Sequence, residues 1–308
     1  MTHNAQGLRV LLFGPQGQVG WEVQRALAPC GQVFTIARHG WKGLSGDLSR
    51  PHSLRSTIQT LAPDVIVNAA AYTNVDQAES ESELARIINA QAPECIAQEA
   101  ARINAVLVHY STDYVFNGSG SRPWQEDDQP EPVNLYGHTK LEGEEAVRSS
   151  GCRHLIIRTS WVYSLRGRNF LTTMLKLASE RDILRVVNDQ IGSPTGADLI
   201  ADVTAHAVRA AQAQPSLLGT YHLAAAGETS WHGYAQLLID AAVKSGMQLR
   251  IGPEDIEPVP SDDFPTPAVR PGNSRLDTAK LETAFGLHVP PWEQGVRRVI
   301  HELQYGKK

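Results

Sequence analysis

The chain has 308 residues, of which 42% are hydrophobic and 20% are charged, with a formal net charge of -5 and a pI near 6.1. This charge argues against a general nucleic-acid binder, which presents a basic face, and no apolar run reaches the ~20 residues that cross a bilayer. The length suits one large α/β domain, or a main domain with a smaller one.

Apolar runs of strand length alternate with helical patterns over residues 1–160, which is typical of a parallel sheet covered by helices on both faces. In chain order we predict a strand at 8–13, a helix at 18–28, strand 33–37, helix 53–61, strand 64–70, helix 81–103, strand 106–111, helix 135–149 and strand 154–159. Residues 123–132 hold three prolines and are predicted to form an irregular loop.

The alternation fades after residue 160. Further helices are predicted at 170–181, 197–213, 231–245 and 292–303, with a short strand at 220–224 and an irregular proline-rich segment at 251–271. We therefore predict a Rossmann-type doubly wound parallel sheet in residues 1–160, to which later segments return, and a smaller substrate-binding lobe mainly in residues 161–308.

The three cysteines, Cys30, Cys95 and Cys152, lack metal-ligand spacing and are typical of free thiols in a reducing compartment. The first residues do not show a basic region followed by a long apolar core, so we expect no secretory signal. The cytoplasm is the expected location.

A glycine-rich turn follows the first predicted strand. Gly14, Gly17 and Gly20 stand where a chain must turn tightly, let its backbone approach a pyrophosphate, and pack a helix on the sheet. The N-terminus of that helix offers free N–H groups and a partial positive charge. A tight turn without a ligand has the same spacing, but the strand before it and the helix after it favour a dinucleotide site.

The end of the second predicted strand carries Arg38 and no carboxylate. An acid there favours a free ribose 2′-hydroxyl and an arginine accommodates a 2′-phosphate, so Arg38 favours NADPH over NADH unless it is a solvated surface residue. Asp47 is expected either to contact the adenine or to cap the next helix. Further cofactor contacts are predicted from Gln18, Val19, Leu48, Ala70, Ala71 and Tyr72.

Tyr136 and Lys140 lie one turn apart on one face of a predicted helix. This spacing also arises by chance in solvated helices. Because a nearby ammonium favours the phenolate, Lys140 is expected to draw the pKa of the Tyr136 phenol towards the range in which it shuttles protons. Thr112 ends the fourth predicted strand, where its hydroxyl can orient a carbonyl oxygen beside the phenol. The three groups predict a nicotinamide-dependent carbonyl reductase.

The glycine turn, Ser111-Thr112-Asp113-Tyr114-Val115-Phe116 and Tyr136-Gly137-x-Thr139-Lys140 resemble the extended short-chain dehydrogenase/reductases. Longer stretches at 71–79, 158–163, 188–196 and 270–276 resemble one family of this superfamily, the dTDP-4-dehydrorhamnose reductases.

This resemblance implies reduction of the C4 ketone of dTDP-4-dehydro-L-rhamnose to dTDP-L-rhamnose by NADPH or NADH. Tyr136 would be the proton donor, Lys140 its partner, and Thr112 the group that aligns the carbonyl. The resemblance also places three residues near the sugar nucleotide, namely Thr73, Asp113 and Trp161. Arg270 can meet a diphosphate, although a loop arginine is often only solvated.

Some members of the family dimerise around Mg²⁺ held by acidic residues. The matching positions here are Glu22, Asp198 and Glu302, and Asp198 stands where the family has the longer Glu. One expectation is a homodimer with Mg²⁺ at the contact, and the other is three solvated helix residues.

Three other functions compete with the reductase. A dehydratase on this scaffold carries an acidic pair after the threonine, whereas here Asp113 is followed by Tyr114; an epimerase retains NAD⁺, which the arginine at position 38 disfavours. A non-catalytic, nicotinamide-binding regulatory subunit resembles the same reductases. Intact Thr112, Tyr136 and Lys140 argue for catalysis.

Overall fold

The computed structural model describes residues 7–306. In chain order its strands are β1 (Leu8–Phe13), β2 (Gly31–Ile36), β3 (Val65–Asn68), β4 (Val106–Thr112), β5 (Arg153–Thr159), β6 (Val162–Tyr163), β7 (Leu184–Val187), β8 (Ile191–Gly192), β9 (Thr195–Gly196), β10 (Gly219–His222), β11 (Thr229–Ser230) and β12 (Ile256–Val259).

The helices follow in the same order. They are α1 (Gln18–Leu27), α2 (Pro51–Leu61), α3 (Val75–Ala78), α4 (Ser82–Arg86), α5 (Ala92–Arg102), α6 (Leu135–Ser149), α7 (Phe170–Glu180), α8 (Ala197–Ala213), α9 (Trp231–Lys244), α10 (Ala279–Phe285) and α11 (Trp292–Tyr305). None of these helices is long and apolar enough to cross a membrane.

Six strands form the central sheet in the order β10-β5-β4-β3-β1-β2, and all neighbours in it are parallel. Because parallel strands are joined by helical crossovers, such a sheet is covered on both faces and its inner strands are apolar throughout. In β1, Val10 and Leu12 join the apolar layer under α1 and α8, while Leu11 and Phe13 join the layer under α2 and α5. The predicted doubly wound α/β fold is confirmed.

Segments after residue 160 contribute to both parts of the molecule. Strand β10 extends the central sheet beside β5, and α8 packs against α1. A separate apolar cluster forms a second lobe from α7, α9 and α11, with Leu171, Tyr234 and Val296 among its fully buried members. The domain boundary near residue 160 stays a prediction.

The helix predicted at 81–103 contains a π-helical turn at Ile87–Gln91, between α4 and α5. This turn carries Asn89, which is buried. Its Nδ2 donates to the Tyr72 carbonyl at 3.0 Å and to Thr139 Oγ1 at 3.1 Å, and its Oδ1 accepts from the Tyr72 N–H at 2.9 Å. The widened turn therefore joins the loop after β3 to α6, an arrangement that helical periodicity does not show.

The prediction of an irregular segment at 251–271 is wrong for β12, which pairs in parallel with β7. Neither strand was predicted, because each is short and acquires its pairing only from the other. Pro258 is compatible with β12 because the strand lies at the edge of a two-stranded sheet. The helices α3 and α10 were also missed, and both are short.

Two glycines allow α6 to lie unusually close to its neighbours. A Cβ atom at Gly137 would stand 2.2 Å from the Tyr114 carbonyl oxygen, and one at Gly143 would stand 2.1 Å from the Asn89 carbonyl oxygen. The helix begins after Asn134, whose Oδ1 accepts from the Gly137 N–H at 2.8 Å. The position of α6 at the carboxyl edge of the sheet thus depends on small residues and a cap.

Replacement of Gly143 by alanine tests this close approach. Since the added methyl group meets backbone rather than a flexible side chain, we expect Gly143→Ala to lower the free energy of unfolding by about 1–3 kcal/mol despite the better helix propensity of alanine. Denaturant unfolding measures the change. Glu145→Ala, on the exposed face of the same helix, is the control and should change stability little. Equal stability of Gly143→Ala and wild type would contradict the packing argument.

Candidate active site

A cleft of about 360 Å³ opens at the carboxyl ends of β4 and β5. Parallel sheets place loops and helix starts at this edge, which is where such folds bind ligands. The residues around the cleft come from both lobes: Gln18, Thr73, Val75, Ser111, Thr112, Asp113, Tyr114, Tyr136, Thr159, Ser160, Trp161, Val162, Tyr163, Arg168, Asn169, Phe170, Trp231 and Tyr234. The structure therefore brings Thr73, Thr112, Asp113, Tyr136 and Trp161 together, as the sequence predicted.

The phenol of Tyr136 lies beside the Thr112 hydroxyl, and its ring meets Tyr114 edge-on with the centroids 5.6 Å apart. Burial raises the pKa of the Tyr136 phenol. The expectation that Lys140 lowers this pKa is therefore wrong for the ligand-free protein. The physical reason is that desolvation dominates and that the Lys140 ammonium is engaged elsewhere.

Lys140 is 2% exposed, and its Nζ donates to the Tyr110 carbonyl oxygen at 2.7 Å. Burial lowers the pKa of the Lys140 ammonium to about 8, while Glu144 acts in the opposite direction. The lysine is thus a buried cation with one backbone acceptor. Within residues 7–306, its two remaining N–H groups donate to no further acceptor.

Several buried polar atoms at this edge have no hydrogen-bond partner within the described part of the chain. They are Ser111 Oγ, Asp113 Oδ2, Thr159 Oγ1 and Ser160 Oγ. Asp113 Oδ1 accepts from the Thr112 hydroxyl at 3.1 Å, and burial raises the pKa of the Asp113 carboxyl to about 6. Because unpaired buried polar atoms are costly, this cluster is suited to a polar ligand that supplies the missing partners.

An aromatic wall closes the side of the cleft that belongs to the second lobe. The Trp161 and Trp231 rings are stacked with their centroids 3.6 Å apart, and Phe170 packs on Trp231 at 4.6 Å. Trp161 has a φ of 49°, in the left-handed region, so its position carries backbone strain. Trp231 was missed by the sequence analysis, because nothing in its own segment distinguishes it from a core tryptophan.

A second cleft of about 790 Å³ adjoins the first, and Tyr114, Phe170 and Trp231 line both. Its remaining lining includes Met174, Leu177, Ile183 and Phe264 together with three arginines, Arg181, Arg185 and Arg270. The two clefts thus share their aromatic walls. The combination of an apolar floor with guanidinium groups suits an anionic ligand that also has flat, apolar parts.

Arg270 donates to Asp76 Oδ2 at 2.7 Å, so its guanidinium is already paired with a carboxylate within the protein. This hydrogen bond from Arg270 holds the pKa of the Asp76 carboxyl below its usual value. Arg270 lines the second cleft, and its contact with a diphosphate stays a prediction. Arg181 and Arg185 were not predicted, because isolated arginines in a helix end and a strand carry no sequence signal.

The glycine-rich turn forms the cradle that the sequence predicted between β1 and α1. Gly14 has a φ of 76°, and a Cβ at Gly20 would stand 2.0 Å from the Gly14 carbonyl oxygen, so neither position accepts a side chain without a shift. The first turn of α1, which includes Gln18 and Val19, directs free backbone N–H groups outwards. These observations fit a dinucleotide pyrophosphate at this helix start.

Gln18 also joins the two lobes, since its Oε1 accepts from Asn169 Nδ2 at 2.8 Å and from Ser164 Oγ at 3.2 Å. On the opposite side of the cradle, a Cβ at Gly14 would meet the backbone of Ala69 and Ala70 within 2.8 Å. The loop that continues through Ala71 and Tyr72 is fixed by Asn89. The predicted cofactor residues around the turn are therefore adjacent in space.

A basic concavity of about 630 Å³ follows β2 and contains Arg38, His39, Lys42 and Arg50. Asp47 faces both arginines, with its Oδ1 3.4 Å from Arg38 Nε and its Oδ2 4.0 Å from Arg50 Nε, and it accepts from the Ser49 N–H. Asp47 thus orients the arginines and closes a turn, rather than capping α2, which begins after Arg50 without a side-chain cap. Leu48 is buried beneath it.

The three acids proposed for Mg²⁺ each face an arginine. Glu22 pairs with Arg25 at 3.3 Å, while Asp198 and Glu302 both contact Arg298. Within residues 7–306 no group of three His, Cys, Asp or Glu side chains could hold a metal ion. With their charges already compensated, these residues as placed do not fit a magnesium site.

Comparison with known proteins identifies close relatives. The family described as RmlD substrate binding domain matches residues 8–305. The dTDP-4-dehydrorhamnose reductase of Salmonella typhimurium is 53% identical over 96% of this chain and 98% of its own, and that of Escherichia coli K12 is 50% identical over the same shares. A crystal structure of the Bacillus anthracis dTDP-4-dehydrorhamnose reductase in complex with NADP superposes with a TM-score of 0.85 at 33% identity, covering 96% of this chain and all of the other.

The buried Asp113 carboxyl generates a prediction about pH. Its pKa in the folded protein, about 6, lies above the ordinary 3.8, so its stabilising contribution is complete below pH 3.8 and is lost as the pH rises through about 6. Relative to Asp113→Asn, the wild type should lose about 3 kcal/mol of unfolding free energy between acidic and neutral pH. Denaturant unfolding across this range measures the difference, with exposed Asp127→Asn as control. Parallel pH profiles for wild type and Asp113→Asn would contradict the assignment.

Proposed function

The chain belongs to the dTDP-4-dehydrorhamnose reductase family, and we propose that it reduces the C4 ketone of dTDP-4-dehydro-L-rhamnose to dTDP-L-rhamnose with NADPH as the reductant. The observation that carries the proposal is that Thr112 and Tyr136 line one cleft, with Lys140 buried one helical turn from Tyr136 and a glycine cradle for the cofactor at the same edge of the sheet. The NADP complex of the Bacillus anthracis reductase supports the choice of cofactor.

Reduction of a ketone requires a hydride at carbon and a proton at oxygen. When bound, the reduced nicotinamide supplies the hydride. Tyr136 supplies the proton: because burial raises the pKa of its phenol, the group stays protonated until negative charge develops on the substrate oxygen. The Thr112 hydroxyl, beside the phenol, orients that oxygen, so the C=O group becomes CH–OH as Tyr136 releases its proton.

Lys140 has a complementary role. Its ammonium, held on the Tyr110 carbonyl, stabilises the phenolate that remains after proton transfer. Its free N–H groups are available to the ribose of the nicotinamide. A buried ammonium gains strength as an electrostatic partner because little water screens it.

The two adjoining clefts match the two parts of a sugar nucleotide. The smaller cleft, with the Trp161–Trp231 stack and the unpaired oxygens of Asp113, Thr159 and Ser160, suits a deoxyhexose that has an apolar face and several hydroxyls. In the larger cleft, Arg181, Arg185 and Arg270 suit a diphosphate, and the apolar floor suits a flat base. Thr73 lines the smaller cleft from the loop after β3.

The basic concavity after β2 supports NADPH over NADH. Arg38, Lys42 and Arg50 can surround a 2′-phosphate, and Asp47 holds the two arginines in place. One carboxylate, Asp47, faces these three cations, so the concavity keeps a positive excess that favours an anion.

The competing functions are less well supported. The curated relatives at 50–53% identity are reductases, and Asp113 is followed by Tyr114 rather than by a second acid. The homodimer and the cytoplasmic location stay predictions from the sequence. Magnesium at a dimer contact likewise stays a prediction from the sequence, and within residues 7–306 the residues expected to bind it are paired with arginines.

The direct test is oxidation of NADPH by the purified protein in the presence of dTDP-4-dehydro-L-rhamnose, followed by absorbance and by identification of the sugar product. Replacing dTDP by UDP in the substrate separates recognition of the base from recognition of the sugar. A protein that binds NADPH but never oxidises it with this ketosugar would support the regulatory subunit instead.

Loss of the phenol hydroxyl tests the proton donor. Tyr136→Phe should keep the fold and NADPH binding while kcat falls by about 10²–10⁴-fold, the usual contribution of general acid catalysis. Steady-state kinetics and cofactor fluorescence make the two measurements. Tyr221→Phe removes a buried hydroxyl that bonds to the Leu217 carbonyl away from the cleft, and its kcat should stay near the wild-type value. Turnover by Tyr136→Phe at the wild-type rate would remove the phenol from the mechanism.

Replacement of Arg38 tests cofactor selection. Arg38→Ala should raise KM for NADPH at least about tenfold and leave KM for NADH nearly unchanged, because only NADPH carries the phosphate that the guanidinium binds. Arg209→Ala, an exposed arginine on α8, is the matched control. If the two KM values for Arg38→Ala rise in parallel, the guanidinium does not read the 2′-phosphate.

A further inference from the structure

Glu144 lies one helical turn after Lys140 on α6, and the structure buries both side chains completely or nearly so, at 0% and 2% exposure. Residues four apart on a helix lie on the same face, so the carboxylate is a neighbour of the ammonium. A buried carboxylate is expensive unless it is paired and hydrogen-bonded. Its presence at this position therefore calls for an explanation.

Arg158 at the end of β5 holds the Glu144 carboxylate in a two-point contact. Arg158 Nε donates to Glu144 Oε1 at 2.9 Å, and Arg158 Nη2 donates to Oε2 at 2.7 Å. Arg148 adds a third hydrogen bond to Oε2 at 2.9 Å from the solvent side of α6. This fork geometry fixes the carboxylate in orientation as well as in position.

Arg158 is itself fixed from three further directions. Its guanidinium lies 5.1 Å from the centroid of the Phe116 ring, and its Nη1 reaches the Glu126 carbonyl at 3.4 Å and His222 Nε2 at 3.4 Å. The network thus extends from the helix that carries Tyr136 to β5, β10 and the loop before α6. Within residues 7–306, neither Glu144 nor Arg158 lines the clefts described above, and the network meets the smaller cleft only through Ser111, whose side chain lies beside the Glu144 carboxylate.

We propose that Glu144 is a positioning residue for the reduction: its buried carboxylate, locked by Arg158, keeps the neighbouring Lys140 positively charged and seated on the Tyr110 carbonyl. The inference rests on the proposed function for its catalytic consequence, while the charge of Lys140 can be measured without turnover. An ammonium that loses its proton cannot stabilise the Tyr136 phenolate. Glu144 would thereby set the alkaline limit of activity.

The charges around the pair are consistent with this role. Burial lowers the pKa of Lys140 to about 8, and Glu144 opposes that effect. Burial would raise the pKa of the Glu144 carboxyl, but Arg158 holds it well below its usual range, so the carboxylate stays ionised wherever the enzyme is active. Of the other groups that face this network, His109 on β4 and His222 on β10 have lowered pKa values because they are buried, which leaves both neutral.

The remaining charged groups near the network are Arg148 on α6, His154 on β5, Glu126 in the loop before α6, and Lys280 on α10. Arg148 is a cation that donates to Glu144 Oε2 at 2.9 Å, so it adds no negative charge beside Lys140. The Glu126 carboxylate accepts from the His222 N–H at 2.8 Å and lies on the far side of Arg158. Glu144 is therefore the carboxylate that acts on the Lys140 ammonium.

The test compares Glu144→Gln with Glu142→Gln. Glu142 is on the same helix but half-exposed, and it pairs with Arg86 at 2.9 Å, so it controls for a general change of charge on α6. Because Glu144→Gln leaves the Arg158 cation buried without a partner and can impair folding, a double variant, Glu144→Gln with Arg158→Gln, removes both charges and keeps a neutral hydrogen-bonding pair.

The first measurement is an NMR titration of the Lys140 side chain in ligand-free protein labelled with ¹³C-lysine, with the signal assigned by its loss in Lys140→Met. Loss of one adjacent opposite charge should lower the titration midpoint by about one pH unit in Glu144→Gln. The double variant should show a smaller decrease, because the repulsion from Arg158 is removed as well. Glu142→Gln should titrate as the wild type does.

The second measurement is the pH profile of kcat with NADPH and the ketosugar nucleotide. Its alkaline limb should move to lower pH in the same order as the NMR midpoints, whereas a purely structural defect would lower kcat at every pH without moving the limb. Unchanged midpoints in both folded Glu144 variants, or an equal shift in Glu142→Gln, would overturn the inference. Shifted midpoints together with an inactive wild type would instead reject the proposed function.

Discussion

The close approach of α6 to the turn after β4 and to the π-helical turn between α4 and α5 is the constraint on which the rest of this structure depends. Glycines at positions 137 and 143 bring the helix backbone against the Tyr114 and Asn89 carbonyls, a distance at which no Cβ atom fits. Tyr136 and Lys140 are consequently removed from water rather than displayed on a helix surface. The same two side chains on a helix lying a few ångströms further out would titrate as ordinary surface groups.

Removal from water has opposite effects on the two groups, and only the effect on the phenol suits the proposed chemistry. It makes the phenol a weaker acid, which suits a proton donor, and it makes the ammonium easier to deprotonate, which does not suit an electrostatic partner. The second effect needs compensation from a fixed negative charge. The Glu144 carboxylate lies one helical turn from Lys140 and is the negative charge of a network in which Arg158 binds Glu144 and contacts His222.

The sequence predicted the fold and most of the cleft because the relevant signals are local. Alternating strands and helices predict a parallel sheet, and the glycine turn, Thr112 and the Tyr136–Lys140 pair each belong to a recognisable segment. The pKa of Tyr136 was misjudged, because spacing along a helix shows which groups are neighbours but does not show how far water is excluded from them.

Other features depend on contacts between distant segments and have no local signal. Trp231 becomes part of the site only because α9 packs Trp231 against Trp161, and Arg181 and Arg185 only because the second lobe turns them towards one cleft. Likewise β7 and β12 pair across some seventy residues of sequence. Glu22, Asp198 and Glu302 were singled out by matching acidic residues to the family. That match does not show the arginines that pair with them in the folded chain.

The aromatic residues shared by the two clefts limit how this enzyme can diverge. Tyr114, Phe170 and Trp231 each line both the smaller cleft, proposed for the sugar, and the larger cleft, proposed for the nucleotide. A substitution that reshapes one cleft at these positions necessarily alters the other, so preference for the sugar and preference for the base are not independently variable there. Ile183 and Phe264 line only the larger cleft. Substitutions there can alter the preference for the nucleotide without altering the preference for the sugar.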